Sequence, residues 1–317
     1  MPQLYTGYAA FLARYFEGKV QKLPVDAGLT CPNRDGTYAR TGCIYCNNNS
    51  FMPRYCAGAL SVREQLEAGK RFFARKYPNM EYLAYFQSHT NTYAPLAVLE
   101  RLYTDALSVE GVRGLVVATR PDCVPDGVLD GICHWSRGSF AMMEYGVEST
   151  DDDTLQRIGR KHTFAAAVSA IERTAKRGLP VGVHLILGLP GEPLERIPVH
   201  ARRLSALPVQ VVKLHQLQVI RGTALARRYA DGAGELALFT PESYAQAVAT
   251  FLENLRPDIA VERFTAQSPA EWLLAPRWGM KTWEFAALLR RVMVERGTWQ
   301  GRCLEMPGRM LVTDNSQ

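Results

Sequence analysis

Cys31, Cys43 and Cys46 fall within sixteen positions on a stretch rich in Gly, Pro and Asn, with eleven residues between the first two and two between the last two. A Cys-x-x-Cys pair lets one tight loop aim two thiolates at a single metal centre. A third cysteine further back completes a three-point grip. Three thiolates on a cubane iron–sulfur cluster leave one iron free to take a ligand. Adding Cys56 as a fourth would instead close a tetrahedral zinc site, the mark of a zinc-stabilised binding protein without catalysis. The cysteines alone leave both readings open, and the choice depends on whether the rest of the chain builds a scaffold and a cofactor pocket around them.

The bulk composition allows such a scaffold. With 317 residues and 47% hydrophobic content, the chain can bury a sizeable core, as one large domain or a core with an appendage. The net charge of +6 is spread out, and Arg202-Arg203, Arg227-Arg228 and Arg290-Arg291 fall on expected helices, so a nucleic-acid partner is permitted without being indicated. Seven cysteines, an odd number, and no signal peptide point to a reducing, cytoplasmic setting, where clustered cysteines serve metal or redox chemistry. No apolar run is long enough to span a membrane. Leu4, Tyr8, Phe11, Leu12, Tyr15 and Phe16 recur at helical spacing and predict an amphipathic helix in the first twenty residues.

Beyond it, strands and helices alternate. Short apolar runs predict strands at 22–27, 81–86, 114–118, 140–147, 181–187 and 209–217, with helices at 62–75, 96–108, 126–135, 164–177 and 193–206 between them. Pro24 makes the first strand short or an edge strand. Ser61, with Glu64 three residues on, is a capping box. Continuous apolar strands suit a parallel sheet buried on both faces. Six βα units form either a partial barrel or an open doubly wound sheet, and both place the site at the C-terminal strand ends. Polar residues collect there. The cysteines follow the first strand, Gln87-Ser88-His89-Thr90-Asn91 the second and Thr119-Arg120-Pro121-Asp122 the third. Glu148-Ser149 follow the fourth, and Gly188-Leu189-Pro190-Gly191-Glu192 the fifth.

Past about Arg221 the pattern changes. A Gly- and Ala-rich connection spans 229–238, Thr240 caps a helix over 241–255, and a strand is expected at 259–264. Trp272, Trp278 and Trp283 crowd a Pro-punctuated stretch before a basic helix at 283–296, and 314–317 is a loose end. The expected division is a core with its N-terminal helix over 1–225 and a small α+β extension over 226–317, packed on that core.

Cys31-Pro-Asn-Arg-Asp-Gly-Thr, Gly42-Cys43-Ile44-Tyr45-Cys46-Asn-Asn, the strand-end strings above, Arg157-Ile-Gly-Arg-Lys-His-Thr163, His184-Leu-Ile-Leu-Gly-Leu-Pro-Gly-Glu192 and Leu273-Leu-Ala-Pro-Arg-Trp278 stand in a specific order. In that order the chain resembles the radical S-adenosylmethionine (SAM) enzymes over nearly its whole length. More narrowly it resembles the YhcC/YtqA-type radical SAM proteins, which are related to the catalytic subunit of Elongator. The resemblance implies an α/β fold, a partial (β/α)6 TIM-like barrel with the C-terminal extension. It implies that Cys31, Cys43 and Cys46 each bind one iron of a [4Fe–4S] cluster, and that the free iron chelates the amino and carboxylate groups of SAM. One electron then cleaves SAM, and a 5′-deoxyadenosyl radical abstracts hydrogen from a substrate. The hard chemistry belongs to the cofactors, and the protein must position and seal them.

The same resemblance assigns further positions. Tyr45 packs near the adenine, and Gln87 and Ser88 meet the methionyl amino group. Glu148 and His184 reach the ribose, where an ionised Glu accepts from hydroxyls. Arg160 pairs with the SAM carboxylate, which suits a guanidinium fork. Ile186 and Gly188 let adenine lie against backbone. A reductase such as flavodoxin or ferredoxin is the implied electron donor. A tRNA base is the substrate suggested by kinship with Elongator, with a small molecule or another protein still open. The absence of a second tight cysteine cluster weighs against an auxiliary iron–sulfur centre. Cys123, Cys133 and Cys303, isolated in sequence, read as core residues, as do Met142, Met143 and the tryptophans. His89 and His162 read as backbone-bonded, and His215, in the sixth strand, as facing a substrate.

Overall fold

The computed structural model describes residues 4–56, 60–74, 80–232 and 236–304. The expected end at 314–317, Arg75 at the close of the first βα helix and the middle of the 229–238 connection lie outside the described residues. In chain order the first elements are α1 (Tyr8–Leu12), β1 (Val20–Val25), α2 (Val62–Ala74), β2 (Glu81–Phe86), α3 (Leu96–Leu107), β3 (Val112–Thr119), α4 (Asp126–Trp135) and β4 (Phe140–Glu148). There follow α5 (Asp152–Arg157), α6 (Phe164–Ala175), β5 (Val181–Leu187), α7 (Arg196–Ser205), β6 (Val211–Gln216), β7 (Val219–Ile220) and α8 (Ala224–Ala230). The last are α9 (Pro241–Glu253), β8 (Ala260–Arg263), β9 (Leu273–Ala275) and α10 (Thr282–Glu295).

Strands β1 to β6 lie side by side in chain order, β8 joins the far edge, and every pair is parallel. The sheet curls into a half-barrel, with β1, the strand that carries Pro24, at one edge. The seventh strand comes from the segment past residue 226, so that segment completes the sheet as well as packing on it. A separate antiparallel pair, β7 with β9, ties the loop after β6 to the tryptophan stretch.

Period-two alternation divides each strand between two surroundings. Leu23, Ala84, Val117, Met143, Val183 and Leu214 point outward into the main core beneath the helices. Leu83, Val116, Met142, Val211 and Ala260 point inward and make a second, smaller apolar cluster with Phe11 of α1. The N-terminal helix is shorter than its aromatic spacing predicts. After Leu12 the chain turns, with Tyr15 and Phe16 amides both donating to the Leu12 carbonyl at 2.9 and 3.0 Å. The aromatics recur because they cap the closed end of the half-barrel, where Phe11 and Phe16 lie 6.4 and 5.4 Å from the Phe140 ring.

Gly114 in β3 shows how tight this sheet is. A Cβ there would sit 2.2 Å from the Phe140 carbonyl oxygen, a backbone atom that cannot swing aside. Gly114→Ala is expected to destabilise the fold by about 3 kcal/mol, at the upper end of overpacking costs. The check is a lower urea midpoint at unchanged slope, and a wild-type midpoint would contradict the β3–β4 register.

Candidate active site

The cysteine loop leaves β1 and is pinned at both flanks. Arg34 and Asp35 amides donate to the Cys31 carbonyl at 2.7 and 3.1 Å, and the Cys46 amide donates to that of Cys43 at 3.0 Å. Gly42 sits at φ +75°, a conformation that costs a glycine little. The Ile44 amide bonds the Ile158 carbonyl just past α5 at 3.1 Å, and the Leu225 amide at the start of α8 bonds the Ile44 carbonyl at 2.8 Å. Helix α5 carried no strong periodic signal. Its mark in the sequence is Asp151, which caps it by accepting from the Thr154 amide at 3.0 Å.

Cys31, Cys43 and Cys46 all open on one cavity of about 490 Å³ at the C-terminal ends of the strands. Two donors face the Cys43 sulfur. Asn33, fully buried, donates Nδ2 at 3.3 Å, and Arg160 donates Nη1 at 3.8 Å. Burial, and after it the neighbouring Cys43, push the Cys46 thiol up to about 11. A cationic centre bound between the thiolates would offset that penalty.

Three thiols on one cavity are a donor set that fits an iron–sulfur cluster with one open iron. Thiolates sharing one zinc lie about 3.8 Å apart, from Zn–S bonds of roughly 2.3 Å. Among the described residues no three His, Cys, Asp or Glu side chains are gathered closely enough to hold one metal ion. In an iron–sulfur cluster each cysteine takes a different iron of a larger body. Cys56 does not line the cavity. It is buried elsewhere, donates to the Pro24 carbonyl at 3.2 Å, and burial pushes its thiol up to about 12.

Arg160 and Glu148 meet beside the cysteines, with Arg160 Nη2 3.6 Å from the Glu148 carboxylate. Arg160 also donates to the Gly146 carbonyl, while its Nε is buried without a partner. Gly146 makes room for the pair, since a Cβ there would lie 2.6 Å from both side chains. A register shift between β4 and β5 at this point leaves Glu148 with φ +68° at the strand end. A non-glycine residue in that region costs about 1–3 kcal/mol, and such residues cluster at functional sites. Tyr45, Gln87, His184 and Ile186 line the same cavity. Burial raises the Tyr45 hydroxyl well above its ordinary value.

Ser88, which is buried, and Gly188, which is half-buried, both lie off the cavity lining. Gly188 sits at φ +85°, and a Cβ there would come within 2.8 Å of the Phe239 ring. Several strand-end polar residues serve each other. Asn91 Nδ2 donates to the Ala118 carbonyl at 2.8 Å, the Thr92 and Thr119 hydroxyls share a 2.6 Å bond, and Ser149 donates to Glu192 at 2.5 Å.

Between the cavity and the apolar plug lies a charged layer that sequence reasoning missed. Glu144 of β4 bonds Lys22 of β1, receives a 2.8 Å bond from His184 and lies 3.5 Å from Lys213 of β6. Glu262 of β8 pairs with Lys22 at 2.6 Å and Lys213 at 2.9 Å, and Lys213 also donates to the Tyr85 hydroxyl at 2.9 Å. Burial alone would raise the Glu144 carboxyl, but Lys213 and Lys22 hold it well below its usual value. Burial, and then the Lys213 charge, lower the pKa of His184. The available signal was one charged residue inside each of several apolar strands, at the inward phase of the alternation.

The comparisons agree with this geometry. The family model described as the Radical SAM superfamily matches residues 31–204, and the Radical_SAM C-terminal domain matches residues 209–295. The Escherichia coli (strain K12) protein YhcC is 36% identical over 308 residues, covering 97% of each chain. The uncharacterized Bacillus subtilis (strain 168) protein YtqA is 32% identical over 294 residues, covering 92% of this chain and 90% of that one. Among solved structures, the archaeal Methanocaldococcus infernus Elp3 with its N-terminus deleted superposes with a TM-score of 0.65 at 16% identity. It covers 89% of this chain and 64% of that one.

Proposed function

The chain belongs to the radical SAM superfamily and is a radical SAM enzyme, and from that premise we propose that its cavity binds a [4Fe–4S] cluster through Cys31, Cys43 and Cys46, with SAM beside it. The observation that carries the reading is that three thiols and the unpartnered Nε of Arg160 share one cavity. When bound, the two cofactors supply reductive cleavage of SAM and a 5′-deoxyadenosyl radical that takes hydrogen from a substrate.

This chain's residues hold and orient. Asn33 and Arg160 donate to the Cys43 sulfur and orient it. Arg160, its Nε free, receives the SAM carboxylate, and Glu148 beside it accepts from the ribose hydroxyls with His184 below. Tyr45 and Ile186 form the apolar side on which adenine lies, continuous with Leu155, Ile158 and Leu217. The side chain of Gln87 and the backbone beside Ser88 face the methionyl amino group, and Gly188 keeps its turn open for Phe239. The core over 1–225 thus supplies the cofactor groups, and the segment 226–317 closes the substrate side. The family uses a reductant, and flavodoxin or ferredoxin is the donor this reading assigns. No described helix is long and apolar enough to cross a membrane. Kinship with Elongator adds a tRNA base as the candidate substrate, and a difference in tRNA nucleosides between cells with and without the protein is the observation that would carry it.

Protein reconstituted without oxygen is expected to hold about four irons per chain, one cubane, and to release 5′-deoxyadenosine from SAM when reduced. Protein that takes zinc tightly and never iron would sink the proposal.

A further inference from the structure

The cavity continues past the cofactor residues to a wall built by β6 and β8. Arg263, at the end of β8, and His215, near the end of β6, line it there. Arg263 Nη2 donates to His215 Nε2 at 3.2 Å, and Arg263 Nε is buried with no hydrogen-bond partner. The adjacent carboxylate, Glu262, is already committed to Lys22 at 2.6 Å and Lys213 at 2.9 Å. Among the described residues no carboxylate lies within ion-pair distance of Arg263, whereas Lys213 of β6 and Lys22 of β1 are each paired twice.

A guanidinium nitrogen removed from water without a partner is costly, and a bound anion relieves that cost. The neighbours favour such an occupant. Burial, and then the Arg263 charge, hold the His215 imidazole well below its usual pKa. It is therefore neutral, adds no second positive charge, and turns both ring nitrogens toward Arg263 Nη2, Nε2 at 3.2 Å and Nδ1 at 3.5 Å. The wall is also held rigid. Gln216 accepts from the Ala266 amide at 2.8 Å and donates to the Ala266 carbonyl at 3.0 Å, and Ser268 donates to Gln218 at 2.8 Å.

We propose that Arg263 and His215 form an anion subsite on this wall, and that the molecule which loses hydrogen in the cavity carries a carboxylate or phosphate that binds there. The identity of that molecule as a radical substrate rests on the cofactor reading above, but the anion contact itself does not.

The test titrates protein loaded with iron and SAM, by calorimetry, with inorganic phosphate in one series and malonate in another. At least one anion is expected to bind the wild type. Arg263→Gln should weaken it about tenfold or more, the loss of one charge-assisted contact, and Arg263→Lys should weaken it less. Tighter phosphate assigns a phosphate-bearing substrate, and tighter malonate a carboxylate. If the Gln variant does not retain its iron, the comparison is read on Arg263→Lys against wild type. Binding of neither anion, or equal binding by wild type and the variant read, overturns the subsite. Failure of the cofactor reading shows separately, as wild-type protein that holds no iron and forms no 5′-deoxyadenosine.

Discussion

Cys43→Ala, reconstituted without oxygen beside the wild type, is expected to lose nearly all of its iron and all 5′-deoxyadenosine formation above background, while Cys56→Ser keeps both. Cys43 is the buried member of the trio and the one whose sulfur receives Asn33 and Arg160. Deleting it removes one of three anchors and takes the sulfur acceptor from Arg160 Nη1, while Asn33 keeps its 3.0 Å bond to the Gly159 carbonyl, and a cluster held at two irons has no closed protein grip. Equivalent losses are expected for Cys31→Ala and Cys46→Ala. Cys56 differs because it is not among the residues lining the cavity and its sulfur is engaged with the Pro24 carbonyl, a bond that a serine hydroxyl can also make. Iron analysis and quantified 5′-deoxyadenosine read the result. Metal loss in Cys56→Ser equal to that in Cys43→Ala would restore the closed four-cysteine zinc site.

Removing the carboxylate of Glu144 is expected to destabilise the fold by about 3–5 kcal/mol, the usual cost of breaking a buried ion pair on one side. Glu144→Gln leaves two buried ammonium groups, Lys22 and Lys213, to share Glu262. The double variant Glu144→Gln/Lys213→Met should recover part of the loss, because it removes the stranded charge. Acid adds a second signature. The folded Glu144 carboxyl lies well below its ordinary 4.5, so its contribution is fully present above that pH and is lost as pH falls through the lower folded value. Wild-type stability should therefore drop on acidification below about pH 4.5 more steeply than that of Glu144→Gln. Urea midpoints across pH measure both effects. Equal unfolding free energies for wild type and Glu144→Gln at neutral pH would mean that the charged layer holds nothing together.

Much of the fold was legible locally. Apolar runs separated by helical periods announced six parallel strands, and Pro24 announced the edge position of β1. The residues expected at the site mostly lie on one cavity, since parallel strands deliver their following loops to one side. Three readings needed more than local pattern. The aromatic spacing of Tyr8, Phe11, Tyr15 and Phe16 suggested a long helix, but those rings recur to cap the half-barrel around Phe140. Helix α5 is too short for a periodic signal. Strand β8 looked like part of an appendage because nothing in Ala260–Arg263 says which sheet it joins.

By itself the sequence determined the chemical type. Cys31, Cys43 and Cys46 are close along the chain, so their spacing already limits what they can hold, and the order of strand-end strings marks the superfamily. Only the tertiary structure decided what shares the interior with them. Lys22, Glu144, Lys213 and Glu262 lie far apart in the chain, and each looks like a lone charge in an apolar strand. Curling of the sheet brings β1 within ion-pair reach of β4 and β8, and register points all four side chains inward. That convergence pairs the lysines with the carboxylates and leaves Arg263 facing the cavity with no acid of its own among the described residues. The cysteine loop marks the superfamily, and the curl of the half-barrel sets the charges that face the cavity.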